Sequence, residues 1–419
     1  MVGRSWTPPV PGGNHLCVLI LFTIEIIGVS ISRRGRRWVA VEALATLSPH
    51  SSARALAREV LISGPISRGD LAVRLGLSVA SLTRLSKPLL DAGVLRESEE
   101  PGTAAVGRPV RPLEVSPDAH RFVGIKLSGD SAAAVATDLT CTVIGSSERA
   151  LAGHGVDEVL DAIMAAVADL GPLDQFSGIG VSIGGKVGGG TAVLRAPFLG
   201  WREVPFADLL EQRTGLPVVV ENDVVALTIA EQWFGAGRGE TDFAVLTVGA
   251  GVGYGLVIND IVIAPPDAGL GLVGHYPIDP LGPRCRQGHR GCASAILTIP
   301  AIRSHFAAAT GGELPYADIL ALAADGHAVA GGLVREAGRA LGVLVSAVAN
   351  LTMVDLVVLS GEGMDVAELA SATLEDTVRE HRDPEASPLR LSRRPSDFAP
   401  WARGAAAVAI QRTILGTVR

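Results

Sequence analysis

The sequence predicts an α/β body behind a small helix-turn-helix unit, and three observations lead there. From residue 121 onward, short β-rich runs alternate with helical stretches, the pattern of an α/β core around a mixed sheet. Two of these runs, RFVGIKLSGDSAAAVATDL (121–139) and DFAVLTVGAGVGYGLVIND (242–260), share one design: a β-rich run, a Gly turn, then small and β-branched residues. They lie about 120 residues apart, a spacing that implies two related halves rather than a short repeat. Ahead of them, residues 51–97 read helix, helix, Gly turn, helix.

A chain of 419 residues is too long for one small core and implies two or three domains. An apolar content of 48% with 19% charged residues is globular rather than disordered, and 50 Gly and 25 Pro suit many tight turns. Four cysteines do not make a disulfide framework in so long a chain, so a reducing, cytoplasmic setting is expected. The net charge of −7 is uneven: through His120 there are 14 Lys and Arg against 10 Asp and Glu, and after it 22 against 33. Such a division suggests that only the front meets a polyanion.

Residues 1–48 are set apart as an extension, disordered or following a start placed too early. Their apolar run, Leu16 to Ser32, carries Glu25 and precedes RRGRR. It is short of the ~20 apolar residues of a spanning helix and lacks a basic start and a small-residue cleavage motif. A membrane anchor is the alternative reading, and no membrane partner is expected.

The front domain is placed at 49–117. Ala55, Leu56, Val60 and Leu61 give helical spacing to a first helix closed by Gly64-Pro65. Ser67 followed by Asp70 is an N-cap with an acidic third residue, opening a second helix with Leu71, Val73 and Leu75. Gly76 supplies the turn, and Ser78 caps a third helix whose apolar positions are Leu82, Leu85, Leu89 and Leu90. In helix-turn-helix geometry this third helix enters the major groove of double-stranded DNA, with Ser81, Thr83, Arg84 and Lys87 as its reachable polar side chains. VLRE and RPLEVS then read as the two strands of a wing. Arg108 in the loop between them, and Arg111, are placed to reach a narrow minor groove, against the alternative of a solvated linker.

The body is placed at 118–419. Strand-like GIGVSI and LPVVVE lie between the two halves; later, Leu333, Ala337, Leu341, Leu344 and Val348 trace one helix face leading to strand VDLVVLSGEG.

The front helix-turn-helix, PFLGW, ENDVVA, GAGVGYG, the GH…C…GHRGC loop and LSGEG follow one another in an order that resembles the repressor–ORF–kinase (ROK) family, from Ser51 to the C-terminus. The resemblance implies a two-lobed ribonuclease-H-like (actin/hexokinase) body behind an all-α winged helix-turn-helix domain. The family contains sugar kinases without the front domain and sugar-responsive repressors with it, and this chain has it.

By that resemblance Asp223 matches the catalytic base that takes the sugar proton, and Asn222 and His275 match sugar-contacting residues. Asn-Asp before a helical run is also a good N-cap. The family's first phosphate loop, Asp-x-Gly-Gly-Thr, is Lys126-Leu127-Ser128-Gly129-Asp130 here, and a carboxylate facing phosphate oxygens is repulsive. Gly249-Ala250-Gly251-Val252-Gly253 and Gly361-x-Gly363 keep their glycines, which turn geometry alone also explains. Three expected sugar partners are replaced, by Leu272, Ser294 and Phe198. ATP is therefore not expected as a cofactor.

The family's loop binds zinc through one His and three Cys. His275, Cys285 and Cys292 match, Gln287 stands for the middle Cys, and His289 is the available substitute. A structural zinc site and a metal-free Gly-turn loop both remain open. The resulting expectation is a cytoplasmic DNA-binding regulator, acting as a repressor. It would respond to a sugar or sugar phosphate and bind its operator as a homodimer or higher oligomer. The rival is an ATP-dependent sugar kinase using Asp223.

Overall fold

The computed structural model describes residues 52–98, 111–394 and 398–415. The 1–48 extension and Arg108 lie outside these residues.

The front domain forms as its punctuation dictates. Helix α1 (Ser52–Ser63) is followed by α2 (Arg68–Leu75) and α3 (Val79–Asp91). Ser67 Oγ accepts from the Asp70 amide at 3.0 Å, and Ser78 Oγ from the Ser81 amide at 3.1 Å, so both predicted N-caps satisfy orphan donors. Gly76 closes α2 in the left-handed region at φ 62°, which a residue with a Cβ adopts only under strain. Leu56, Val60, Leu71, Leu82 and Leu89 are buried together. Ala55, read as part of the apolar face of α1, is exposed, and Ala57 takes its place in the core. Val73 in α2 also faces water. The wing is the antiparallel pair β1 (Leu95–Glu97) and β2 (Leu113–Val115), with Leu95 opposite Val115.

The body confirms the internal echo as a repeated topology. Strands β3 (Phe122–Leu127), β4 (Ser131–Thr137) and β5 (Val143–Ala150) form an antiparallel meander. After α4 (Val156–Leu170), β6 (Gly178–Ile183) joins β3 in parallel. A small sheet of β7 (Lys186–Gly188), β8 (Ala192–Ala196) and β9 (Trp201–Val204) and helix α5 (Phe206–Thr214) precede β10 (Val218–Asn222), which adds in parallel to β6. Helix α6 (Asp223–Phe234) then leads to the second sheet. There β11 (Phe243–Val248), β12 (Val252–Ile258) and β13 (Ile261–Val262) repeat the antiparallel meander.

Helices α7 (Ala293–Leu297), α8 (Ile299–Thr310), α9 (Tyr316–Ala324) and α10 (Ala328–Thr352) pack as one group. Strand β14 (Leu356–Ser360) joins β11 in parallel, α11 (Asp365–Leu369) and α12 (Ser371–Glu380) follow, and β15 (Arg390–Arg393) adds to β14. The sheet orders, β10-β6-β3-β4-β5 and β15-β14-β11-β12-β13, are therefore the same arrangement built twice.

The last helix, α13 (Ala399–Leu415), lies between the first sheet and α6. Its approach is close because glycines face it: a Cβ on Gly124 would lie 2.0 Å from the Ala402 carbonyl oxygen, and one on Gly180 1.8 Å from that of Ala405. Gly404 of α13 in turn meets the α6 backbone at Ala226 and Leu227. Among the described residues no single helix is long and apolar enough to cross a membrane.

Candidate functional site

Ligands of open α/β sheets usually bind in the cleft outside the carboxyl ends of the parallel strands, so the residues at those ends are the candidates. From the first sheet come Lys126 at the end of β3, Gly184 and Gly185 after β6, and Asn222 and Asp223 at the β10–α6 junction. The second sheet contributes the turn 249–251 and the turn 361–363.

Asn222 is the N-cap of α6. Its Oδ1 accepts from the amides of Val224 and Val225 at 3.0 and 3.2 Å, and its Nδ2 donates to the Gly185 carbonyl at 2.9 Å. The side chain is buried and largely committed to backbone. Asp223 begins the helix, where a carboxylate is favoured by the exposed amides; its Oδ1 accepts from its neighbour Val224 at 2.9 Å. Its Oδ2 accepts from Lys126 Nζ at 2.5 Å, and both side chains are well shielded from water, 9% exposed for Lys126 and 16% for Asp223. The ammonium also lies 4.9 Å from the centroid of the Trp401 ring. The resemblance implies an acid at the position of Lys126 and a base at that of Asp223; here the two side chains are paired with each other.

The turn 249–251, which the resemblance implies is a phosphate loop, also carries an internal contact. Glu362 Oε1 accepts from the Ala250 amide at 3.1 Å. A Cβ on Gly249 would lie 2.2 Å from that same oxygen, so the carboxylate rests directly on the turn. The Ala250 amide thus faces an internal anion. Nothing in the sequence singled out Glu362: its partner is 112 residues away.

Phe198 is 52% exposed, and it and the Asp223 carboxylate flank Gly184: a Cβ there would touch both at 3.4 Å. Leu272, in place of a sugar-contacting Glu, is exposed. Ser294 Oγ lies behind Gly274, beneath the loop that carries His275.

That loop folds around two close backbone contacts. Gly291, at φ 58°, packs where a Cβ would overlap the Asp279 carbonyl, and the Cys285 amide donates to the His289 carbonyl at 2.9 Å. The tight turn brings His289 back beside Cys285. His275, Cys285, His289 and Cys292 then present ligand atoms that all lie within 4.8 Å of one another. Cys285 Sγ is 3.8 Å from His275 Nδ1 and 3.7 Å from His289 Nδ1, and Cys292 Sγ is 3.8 Å from His275 Nδ1. A tetrahedron with zinc–ligand bonds of about 2.0–2.3 Å has edges of about 3.3–3.8 Å, so these donors fit a metal of that kind.

The local electrostatics fit too. Burial, with His289 next, lowers the pKa of His275. Burial opposes ionisation of Cys285, but the Gln287 amide, the Cys292 thiol and the His289 and Gly288 amides outweigh it and bring that thiol below its ordinary range. Cys292 is held up, first by burial. Gln287 is exposed and offers its backbone amide to the loop.

On the front domain, Thr83, Arg84 and Lys87 project from α3 into water, and Ser81 is half-buried against its cap. Thr83 Oγ1 donates to the Val79 carbonyl at 3.0 Å. Arg84 and Lys87 make no ion pair among the described residues. By contrast Arg68 and Arg74 are engaged with Glu97 and Glu59. Val79 is also exposed in the first turn of α3, an apolar position that the reading of polar side chains passed over.

The chain is 25% identical to the DNA-binding transcriptional repressor Mlc of Escherichia coli over 337 residues, covering 77% of this chain and 83% of that one. A crystal structure of a ROK family transcriptional regulator, a homologue of the Escherichia coli Mlc protein, superposes with a TM-score of 0.73 at 25% identity, covering 87% of this chain and 96% of the other. A ROK family glucokinase from Streptomyces griseus, solved with glucose and AMPPNP, superposes with a TM-score of 0.60 at 28% identity, over 70% of this chain and 99% of its own. The better structural match is thus the one that also spans the front domain. The ROK family model itself matches residues 122–412, the whole two-sheet body, and the chain belongs to the ROK family.

Proposed function

We propose that this chain is a DNA-binding transcriptional regulator, acting as a repressor, whose kinase-like body senses a ligand and does not phosphorylate it. The observation that carries the reading is the outer face of α3: a capped helix with Arg84 and Lys87 making no ion pair among the described residues, next to a wing. Free cations on a helix of groove-fitting size are what duplex phosphates and base edges require, whereas Val79 offers apolar contact to a thymine methyl. Arg108, in the wing loop, is assigned to the minor groove. The operator is read by a homodimer with two such helices, in the cytoplasm.

The body binds a sugar or sugar derivative in the cleft beside Asn222, Asp223 and His275. A kinase reading has family precedent in the superposed glucokinase, but two internal contacts weigh against it. Lys126 neutralises Asp223, and Glu362 takes the amide at the phosphate turn. Phosphoryl transfer needs a free base and an anion cradle. Purified protein with ATP, magnesium and a panel of hexoses is therefore expected to form no ADP above background, with Asp223→Asn indistinguishable from wild type. Turnover at an ordinary enzymatic rate that Asp223→Asn abolishes would overturn the reading.

His275, Cys285, His289 and Cys292 hold a structural zinc ion. The bound metal would cross-link the loop to the start of α7 and fix the ring of His275 at the cleft. Protein purified without added metal is expected to contain one zinc per chain by elemental analysis. His289→Ala should weaken zinc affinity at least about 100-fold, and Gln287→Ala should leave it unchanged. Equal effects of the two substitutions would remove His289 from the ligand set.

A further inference from the structure

The first residue of α6 is at the cleft and its last turn is at the front domain. Asp223 pairs with Lys126 at one end. At the other, Gln232 Nε2 donates to the Asp260 carbonyl at 2.7 Å, and Arg58 of α1 donates to that same carbonyl at 3.1 Å. Just beyond the helix, Arg238 reaches the C-terminus of α1, donating from Nε to the Ile62 carbonyl at 2.5 Å and from Nη2 to the Gly64 carbonyl at 3.3 Å. These are carbonyls left without intrahelical donors at a helix end, where a guanidinium is favoured. Helix α1 also packs on α6 and α13 directly.

Between its ends α6 is stiff. Every residue from Val225 to Trp233 is buried, and twelve residues span about 18 Å. Gly404 of α13 holds its middle at backbone contact, and Arg403 binds the Phe234 carbonyl at 3.2 Å. A rod so packed moves as a unit rather than bending, because close-packed interiors pass displacement on.

We infer that α6 is the strut by which the state of the cleft reaches the DNA-binding domain, with Lys126 and Arg238 as the positioning residues at its two ends. A ligand that takes Asp223 away from Lys126 releases the N-terminus of α6. The shift arrives at Gln232 and Arg238, which set the seat of α1 and so the angle at which α3 is presented. A neutral polyol, whose hydroxyls both accept from an ammonium and donate to a carboxylate, has the chemistry to part the pair.

The inference deepens the regulator reading, but its test needs neither operator nor ligand. Hydrogen–deuterium exchange is followed on the full-length protein carrying Lys126→Met together with Asp223→Asn, which opens the contact without leaving a lone buried charge. Exchange of the amides in 52–63 and 236–240 is expected to rise on the order of tenfold, and Lys126→Arg alone should keep the wild-type pattern. Lys186→Met, which breaks the Lys186–Asp267 pair outside α6, should leave 52–63 unchanged. In an Arg238→Ala background the response of 52–63 to the cleft substitutions should vanish. If the double substitution changes exchange only within 122–131 and 222–226, or if Lys186→Met loosens α1 equally, the strut is wrong. Should the double variant melt far below wild type, Lys126→Gln alone gives the same readout. Absence of DNA binding would sink the regulator reading and leave this result standing; absence of transmission would sink the strut alone.

Discussion

Gly180→Ala is expected to destabilise the protein by at least about 3 kcal/mol, the upper end of ordinary overpacking. The added Cβ would sit 1.8 Å from the Ala405 carbonyl oxygen, and neither partner can yield cheaply. Gly180 is in the middle of β6, hydrogen-bonded on both sides by β3 and β10. The obstructing atom is helical backbone rather than the tip of a flexible side chain, so α13 as a whole must retreat from the sheet. That retreat presses Gly404 into the α6 backbone it already meets, and takes Trp401 away from Lys126. At roughly 2–4 °C per kcal/mol for a body of this size, the melting temperature should fall by about 5–10 °C or more. Gly251→Ala is the matched control, since no heavy atom lies within 4 Å of its added Cβ. Equal melting temperatures for the two variants, by circular dichroism, would show that α13 does not pack on β6 as described.

Replacing Arg84 by alanine is expected to weaken operator binding by about 1–3 kcal/mol, roughly 5- to 150-fold, with the melting temperature unchanged. The side chain is exposed and makes no ion pair within the described residues, so nothing in the fold is lost with it. Lys87→Ala is expected to act more weakly and uniformly across sequences, as a point charge on a phosphate does. The two roles separate by salt titration of fluorescence anisotropy on an oligonucleotide selected from a random pool. A phosphate contact lowers the salt slope by about 1, whereas a base contact relaxes the preference at one position. Unchanged affinity in the double variant Arg84→Ala, Lys87→Ala would place the DNA on another surface.

The front domain was legible because its signals are local. A Ser three residues before the amide it caps and a Gly at the turn act within one helical turn. The sequence therefore showed both N-caps and the wing strands directly. Ala57 rather than Ala55 lies in the core because a single short helix admits two neighbouring faces, and only tertiary packing selects one. Helix α13 was not read at all. It is buried against a sheet on one side and a helix on the other, so its small residues show no contrast between an apolar and a polar face. The density of small residues in Trp401–Ile410, WARGAAAVAI, is the available sign of close packing.

The candidate site divides along the same line. By itself the sequence determined the local patterns at the ends of the strands and the order in which they come. It gave Asn-Asp after a strand, glycine turns after two others, and a loop with two Cys and two His in reach of one another. Each is a short-range pattern tied to the end of an element. Only the tertiary structure decided what those groups do to each other. Lys126 meets Asp223 across 97 residues, Glu362 meets Ala250 across 112, and Arg238 meets Ile62 across 176. Charge and hydrogen-bond energies depend on separation in space, to which position along the chain is no guide once the chain has folded back on itself.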